Sequence, residues 1–289
     1  MHNKGLWGRL AILLTTMIWG TSFVILKNTL DVIPAMWILA ARFVIAALLL
    51  SLCAGKRFRA MRRGDIRGGI LMGVCLAAAY ILQTYGLVYT TPGKNAFLTS
   101  AYCIMVPFMT WGFFARRPEK RVIPATLMCL AGIGFVSLGR DFSVNIGDML
   151  TLACGIFYAL HIIVCEKYAP DCDTLALTAV QFASAAVICL VGAFIAEPIP
   201  RQLSGEAVFS VLYLAVMCTA VCFFLQVWGQ KYTPSSTAAV LMTLESVFGT
   251  LISVIFYDEK LSLRIVLGFA LIFISVVLTS VEPKGAKRI

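Results

Sequence analysis

Three ionisable side chains lie deep inside apolar stretches of this 289-residue chain: Glu245 in LMTLESVFG, Arg42 in ARFVIAALLL and His161 in ALHIIV. Charge at membrane depth is costly, so each needs a partner or a water-filled cavity. The Glu245 carboxylate suits two roles: facing a cavity, where it binds an amine or takes up a proton, or hydrogen-bonding within a helix–helix contact. Arg42 invites pairing with Glu245 or with a solute carboxylate. It also lies only two turns beyond Pro34, close enough to the end of its stretch to snorkel, and a structural role is favoured. A lone His161 is commonly a hydrogen-bonding residue; as a proton shuttle it would need a second group.

Uncharged candidates follow. Gln83 with Tyr85 and Gln226 with Trp228 repeat the pattern of an amide two residues before an aromatic ring. Amides beside aromatics suit a zwitterionic or aromatic solute, and equally suit interhelical hydrogen bonds worth about 1 kcal/mol each. Ser22, Trp19, Asn95, Tyr102 and Thr243 complete the set, with packing the simpler role for Trp19. Metal chemistry is not expected. Cys218 and Cys222 stand one turn apart without a neighbouring His or acid, and the ten cysteines form no CxxC pair. Nine of them fall in apolar stretches and read as small buried residues. There is no Walker motif, so ATP is not the driver, and no cofactor is expected. No paired His and Asp suggests an enzyme.

The elements that must position these residues follow from composition. The chain is 60% hydrophobic and only 13% charged, against about 25% charged in soluble domains. Its apolar residues come in blocks of roughly 20, the length of a membrane-spanning helix. The spans predicted are 8–28, 34–54, 66–89, 94–115, 122–139, 146–167, 174–196, 206–230, 235–257 and 262–281. The first runs on past Arg9 without a small-residue cleavage site and reads as a retained helix. With ten spans and a cytoplasmic N-terminus, seventeen of the 24 lysines and arginines fall on the inner side, six on the outer side, and Arg42 within a span. That bias fits the positive-inside rule and places both termini in the cytoplasm. It also explains the net charge of +10 without nucleic acid.

An ungapped internal repeat supports the count. Residues 81–100 lie over 224–243 at an offset of 143, pairing Leu82 with Leu225, Gln83 with Gln226, Gly86 with Gly229, Tyr89 with Tyr232 and Thr90 with Thr233. Farther on, Ala96 meets Ala239, Leu98 meets Leu241, and Tyr102 meets Glu245. The first and sixth spans match more weakly, bringing Ser22 onto His161. Each half holds five spans, an odd number, so the second half enters the membrane inverted. The fold class expected is an all-α integral membrane protein of ten transmembrane helices in two inverted five-helix repeats, at 8–139 and 147–281. Gly69 and Gly73 (a GxxxG) and Gly132, Gly134 and Gly139 suggest close helix packing. Asp258 and Glu259 read as a solvated turn, with Ser262 as a helix N-cap.

IWGTSFVILKNTL, ARFVIAALLL and LESVFGTLISVIFYDEKLSLRIVLGFALIFISVVL resemble EamA-type members of the drug/metabolite transporter superfamily, in two tandem units that cover nearly the whole chain. The resemblance implies a central solute cavity lined by helices 1, 3, 4, 6, 8 and 9, with helices 2, 5, 7 and 10 peripheral. It implies a secondary transporter in the cytoplasmic membrane, an exporter of an amino acid or similar small metabolite. Multidrug efflux of lipophilic cations is the alternative, weakened because helix 1 carries no acid. A membrane enzyme or scaffold is more remote. The expected partners are a small-molecule solute and the bilayer, and duplication within one chain lets a monomer suffice. MVPF (105–108) has a proline that FGTL (248–251) lacks, so the two halves are expected to bend differently.

Overall fold

A chain surrounded by hydrocarbon must satisfy its backbone N–H and C=O groups internally, and helices do this within one segment. The computed structural model describes residues 2–115, 117–118, 120–137, 145–200, 203–257 and 262–280, and among these there is no strand. The helices are α1 (His2–Leu30), α2 (Ala35–Ala54), α3 (Arg63–Tyr89), α4 (Pro92–Thr99), α5 (Tyr102–Phe114), α6 (Val122–Ser137), α7 (Ile146–Tyr168), α8 (Thr174–Ala196), α9 (Gly205–Ala215), α10 (Cys222–Gln230), α11 (Ser235–Met242), α12 (Leu244–Tyr257) and α13 (Leu263–Ser280). A 3₁₀ turn, Gly55–Ala60, follows α2, and a π-helical segment, Val216–Val221, joins α9 to α10. Asp258, Glu259 and Gly139 lie outside the described residues.

Six stretches are long and apolar enough to cross a membrane: Lys4–Leu30, Ala35–Ala60, Arg63–Tyr89, Ile146–Tyr168, Thr174–Ala196 and Gly205–Gln230. Tyr102–Phe113, Val122–Gly132 and Val266–Ser275 are shorter apolar helices. The protein is an integral, multi-pass membrane protein. Its exterior is apolar, with Leu52, Ile195, Phe209 and Phe273 exposed, while Arg42, His161 and Gln181 are buried. A water-soluble fold would reverse that arrangement. Cys172, the cysteine placed in a loop, is nevertheless covered, and burial pushes its thiol up to about 12.

Two stretches expected as single helices are broken. Residues 92–114 divide into α4 and α5 at Ser100–Ala101, and residues 235–257 divide into α11 and α12 at Thr243. These breaks are 143 residues apart and share an i to i−3 backbone bond. The Cys103 N–H donates to the Ser100 carbonyl at 3.0 Å, and the Ser246 N–H donates to the Thr243 carbonyl at 3.1 Å. Each hydroxyl turns back on its own chain, Ser100 Oγ to the Ala96 carbonyl at 2.9 Å and Thr243 Oγ1 to the Val240 carbonyl at 2.6 Å. A side-chain hydroxyl bonded this way competes with the regular ladder and loosens it. Pro107 sits inside α5, beyond the break. The proline therefore does not set the discontinuity, and the halves break alike.

Helix packing has the same two-fold character. α3 packs on α7, and α10 on α1; α2 packs on α8, and α6 on α13. At the crossing of α3 and α7, a Cβ on Gly86 would stand 2.9 Å from the Gly147 carbonyl, and one on Gly147 would stand 2.6 Å from the Gly86 carbonyl. At the crossing of α1 and α10, a Cβ on Gly8 would lie 2.8 Å from the Gly229 carbonyl, and one on Gly229 would lie 2.6 Å from the Gly8 carbonyl. Gly69 and Gly73 give α8 its close approach to α3, and Gly132 meets the Gly268 carbonyl of α13.

Candidate functional site: a central cavity between the helix breaks

The breaks face a central cavity of about 550 Å³, counted with the space it opens onto. Each of the six expected lining helices contributes a pair of residues three positions apart, with Phe23, Leu26 and Ile162 in addition. The pairs are Trp19 and Ser22, Tyr80 and Gln83, Thr99 and Tyr102, Tyr158 and His161, Phe223 and Gln226, and Met242 and Glu245. In α1, α3, α7 and α10 spacing of three puts both members of a pair on one helix face, whereas Thr99/Tyr102 and Met242/Glu245 flank the two breaks. The second three pairs are the first three displaced by 139 residues in α7 and by 143 residues in α10 to α12. Arg42 of α2 joins them.

Glu245 is 6% exposed and faces the hydroxyl of Tyr102. A row of rings runs from this pair across the cavity. Tyr102 and Tyr158 stand 6.3 Å apart between centroids, Tyr158 and Tyr80 stand 5.7 Å apart, and the Arg42 guanidinium lies 4.8 Å from the Tyr80 ring centre. Arg42 is 1% exposed, so it does not snorkel. Its Nε donates to Thr219 Oγ1 at 3.1 Å and its Nη2 to the Tyr80 hydroxyl at 3.4 Å. Thr219 belongs to the π-helical segment and donates onward to the Leu214 carbonyl at 2.7 Å. Single π turns inside helices recur at functional sites.

The remaining lining groups are held by neighbours. Gln83 donates to Thr99 Oγ1 at 3.0 Å and accepts from the Tyr158 hydroxyl at 2.8 Å. Gln226 donates to Gln230 Oε1 at 2.9 Å, while its own Oε1 is buried without a partner. His161 Nε2 lies 2.9 Å from Gln181 Oε1, and its Nδ1 has no partner. Trp19 Nε1 donates to the Cys218 carbonyl at 2.8 Å. The Ser22 hydroxyl is taken by the Trp19 carbonyl at 2.7 Å.

Four of the candidates are placed elsewhere. Tyr85 gives its hydroxyl to Glu197 Oε1 at 2.7 Å, and the other carboxylate oxygen accepts from Met36 N at the start of α2 at 2.8 Å. Trp228 packs edge-on against Tyr232, centroids 5.5 Å apart, in a separate surface cleft with Arg57 and Lys231. Residues two apart point roughly 200° apart around a helix, so neither ring can share the space its glutamine faces. Asn95 is a tie, donating to the Gln83 carbonyl at 3.1 Å and to Thr151 Oγ1 at 2.8 Å. Thr243 closes the second break and lies 3.0 Å from Cys129 Sγ. Arg42 lines the cavity although a structural role is the reading its position favours, and Thr99, Met242, Tyr80, Tyr158 and Phe223 line it without having been singled out by sequence. The last three stand one i, i+3 step before Gln83, His161 and Gln226, which is the signal that finds them. Among the described residues no group of three His, Cys, Asp or Glu side chains converges as a metal site.

A multi-pass helical bundle around a buried polar cavity defines a class of membrane transport proteins, and the comparisons make this specific. The EamA-like transporter family model matches residues 6–138 and 145–281, and the chain belongs to that family. An uncharacterized transporter of Archaeoglobus fulgidus is 31% identical over 281 residues, covering 96% of this chain and 87% of the relative. The uncharacterized transporter YoaV of Bacillus subtilis is 24% identical, covering 91% and 93%. A solved crystal structure shares the fold with a TM-score of 0.79 at 16% identity, covering 94% of this chain and 95% of that one.

Proposed function

We propose that this membrane transporter is a secondary exporter of an amino acid or a similar small metabolite, working by alternating access across the cytoplasmic membrane. The observation that carries the reading is the cavity itself, formed at two matched helix breaks and lined by pairs of residues 139 or 143 apart. Discontinuous helices meeting at a central site are a recurring device of inverted-repeat transporters. The reciprocal Gly86–Gly147 and Gly229–Gly8 crossings support ten crossings arranged as two inverted five-helix repeats, at 8–139 and 147–281. The bias of Lys and Arg toward the segments after even-numbered spans supports cytoplasmic termini. One chain supplies both halves of the cavity, which favours a functional monomer.

Glu245, Tyr102, Gln83, Gln226, His161, Ser22 and Trp19 are proposed as solute-facing residues, with Glu245 the candidate for proton coupling. A lipophilic cation fits less well, because the cavity also holds the Arg42 guanidinium. Reconstitution into liposomes tests the reading, with counterflow of labelled amino acids as the measurement. Saturable exchange of at least one amino acid is expected, and no exchange of any tested solute would overturn it. Glu245→Gln is expected to abolish flux driven by a pH gradient, and to lower counterflow only through weaker solute affinity, so that counterflow recovers at high solute concentration. Equal loss of both, or of neither, would remove Glu245 from coupling.

A further inference from the structure

Arg42 is a buried cation without a carboxylate. An ion pair joins Arg57 to Asp173 at the surface, and among the described residues none joins Arg42 to Glu245. A guanidinium has five N–H donors in a planar fork, and two of them are bonded, both to neutral hydroxyls. An uncompensated charge away from water costs several kcal/mol. The protein nonetheless shapes its surroundings around this residue. The π turn of Val216–Val221 presents Thr219 to Nε, whereas α3 runs as an unbroken α-helix over the matching residues. The residue 139 beyond Arg42 is Gln181, so the cation stands on one side only.

The far end of the tyrosine row has the opposite character. Glu245 is buried beside Tyr102, and no basic side chain pairs with it among the described residues. Gln226, 2% exposed, lines the same cavity with an unpartnered acceptor oxygen. Arg42 thus offers donors and Glu245 acceptors. The rings of Tyr80, Tyr158 and Phe223 line the cavity that both border, Tyr80 lying 5.7 Å from Tyr158 and 6.1 Å from Phe223.

We infer that Arg42 and Glu245 are the two poles of one binding site, which takes a zwitterion by its carboxylate and its ammonium and lays an apolar side chain against the aromatic wall. The inference rests on the transport reading for its purpose, but it concerns binding and is tested without a membrane gradient. Arg42 donates the fork that matches a carboxylate bidentately. Glu245 accepts from the ammonium. A solute that keeps only one of its charges leaves the opposite pole buried and unpaired, which is the strongest form of rejection available to a site.

The test uses the purified full chain in detergent and measures binding by calorimetry and by the shift in melting temperature. The probes are L-phenylalanine, L-leucine and L-methionine, each compared with its methyl ester, which lacks the carboxylate, and its N-acetyl derivative, which lacks the ammonium. At least one free amino acid is expected to bind, and both of its blocked forms to bind about tenfold more weakly or worse, the loss of one charged hydrogen bond. Arg42→Gln is expected to erase the discrimination against the ester and keep that against the N-acetyl form, with Glu245→Gln doing the reverse. Arg42→Lys, which keeps the charge, is expected to retain part of the discrimination and guards against loss of fold. Equal binding of ester and acid by the unmodified protein, unchanged discrimination in Arg42→Gln, or no binding of any of the three amino acids would each overturn the inference. Flux in liposomes without dependence on the carboxylate would sink this proposal and leave transport standing. Charge-dependent binding without flux would do the opposite.

Discussion

The break between α4 and α5 and the break between α11 and α12 have one backbone and two chemistries. Both close with an i to i−3 bond at the same relative position, and both turn a hydroxyl back on the preceding turn. Two residues beyond, the first presents Tyr102 and the second Glu245. The same divergence appears at α2 and α8, where Arg42 answers to Gln181. Geometry is shared between the halves because both must pack and bend alike, while charge is placed once, because two acids or two cations facing one cavity would repel.

Mutations at the glycine crossings would break that comparison most severely. Gly86→Leu and its counterpart Gly229→Leu are each expected to cost roughly 1–3 kcal/mol or more by overpacking, since a side chain there meets the backbone of the opposite helix. Fluorescence-detected size exclusion should show equal loss of monodisperse protein for the two. A large loss from one and none from the other would mean that the crossings are not equivalent. Next in size is the contrast at the breaks. Glu245→Ala should lower solute exchange by about tenfold or more, as expected for removing a charged contact, whereas Tyr102→Phe should lower it less. Equal effects in a liposome exchange assay would deny that chemistry is concentrated in the second half. The smallest effects belong to the hydroxyls. Ser100→Ala and Thr243→Val should each destabilise by about 1 kcal/mol, read as matched small drops in detergent melting temperature.

Much of this was legible in the chain. Apolar blocks mark the six membrane-length stretches, and the aligned Gln83 and Gln226 both line the cavity. Glu245 and His161 stood out because ionisable groups are rare in such stretches. The breaks were not legible, since neither Ser100 nor Thr243 interrupts hydrophobicity and the one proline nearby pointed to the wrong turn. Tyr85 and Trp228 were drawn in by sequence adjacency to the glutamines, whereas helical geometry sends them outward. Arg42 does not snorkel in spite of its nearness to the end of a span. Its environment is set by Thr219, 177 residues away, and no local pattern announces such a partner.

The absence of proline at Ser100 and Thr243 has a mechanical consequence. A proline removes an N–H permanently, so the helix it interrupts has no way to close that bond. At these two breaks every N–H is still present, and the Ser100 and Thr243 hydroxyls bond carbonyls of the preceding turn. Each discontinuity therefore keeps the donors and acceptors of a continuous helix, which a proline at that position would have removed for good.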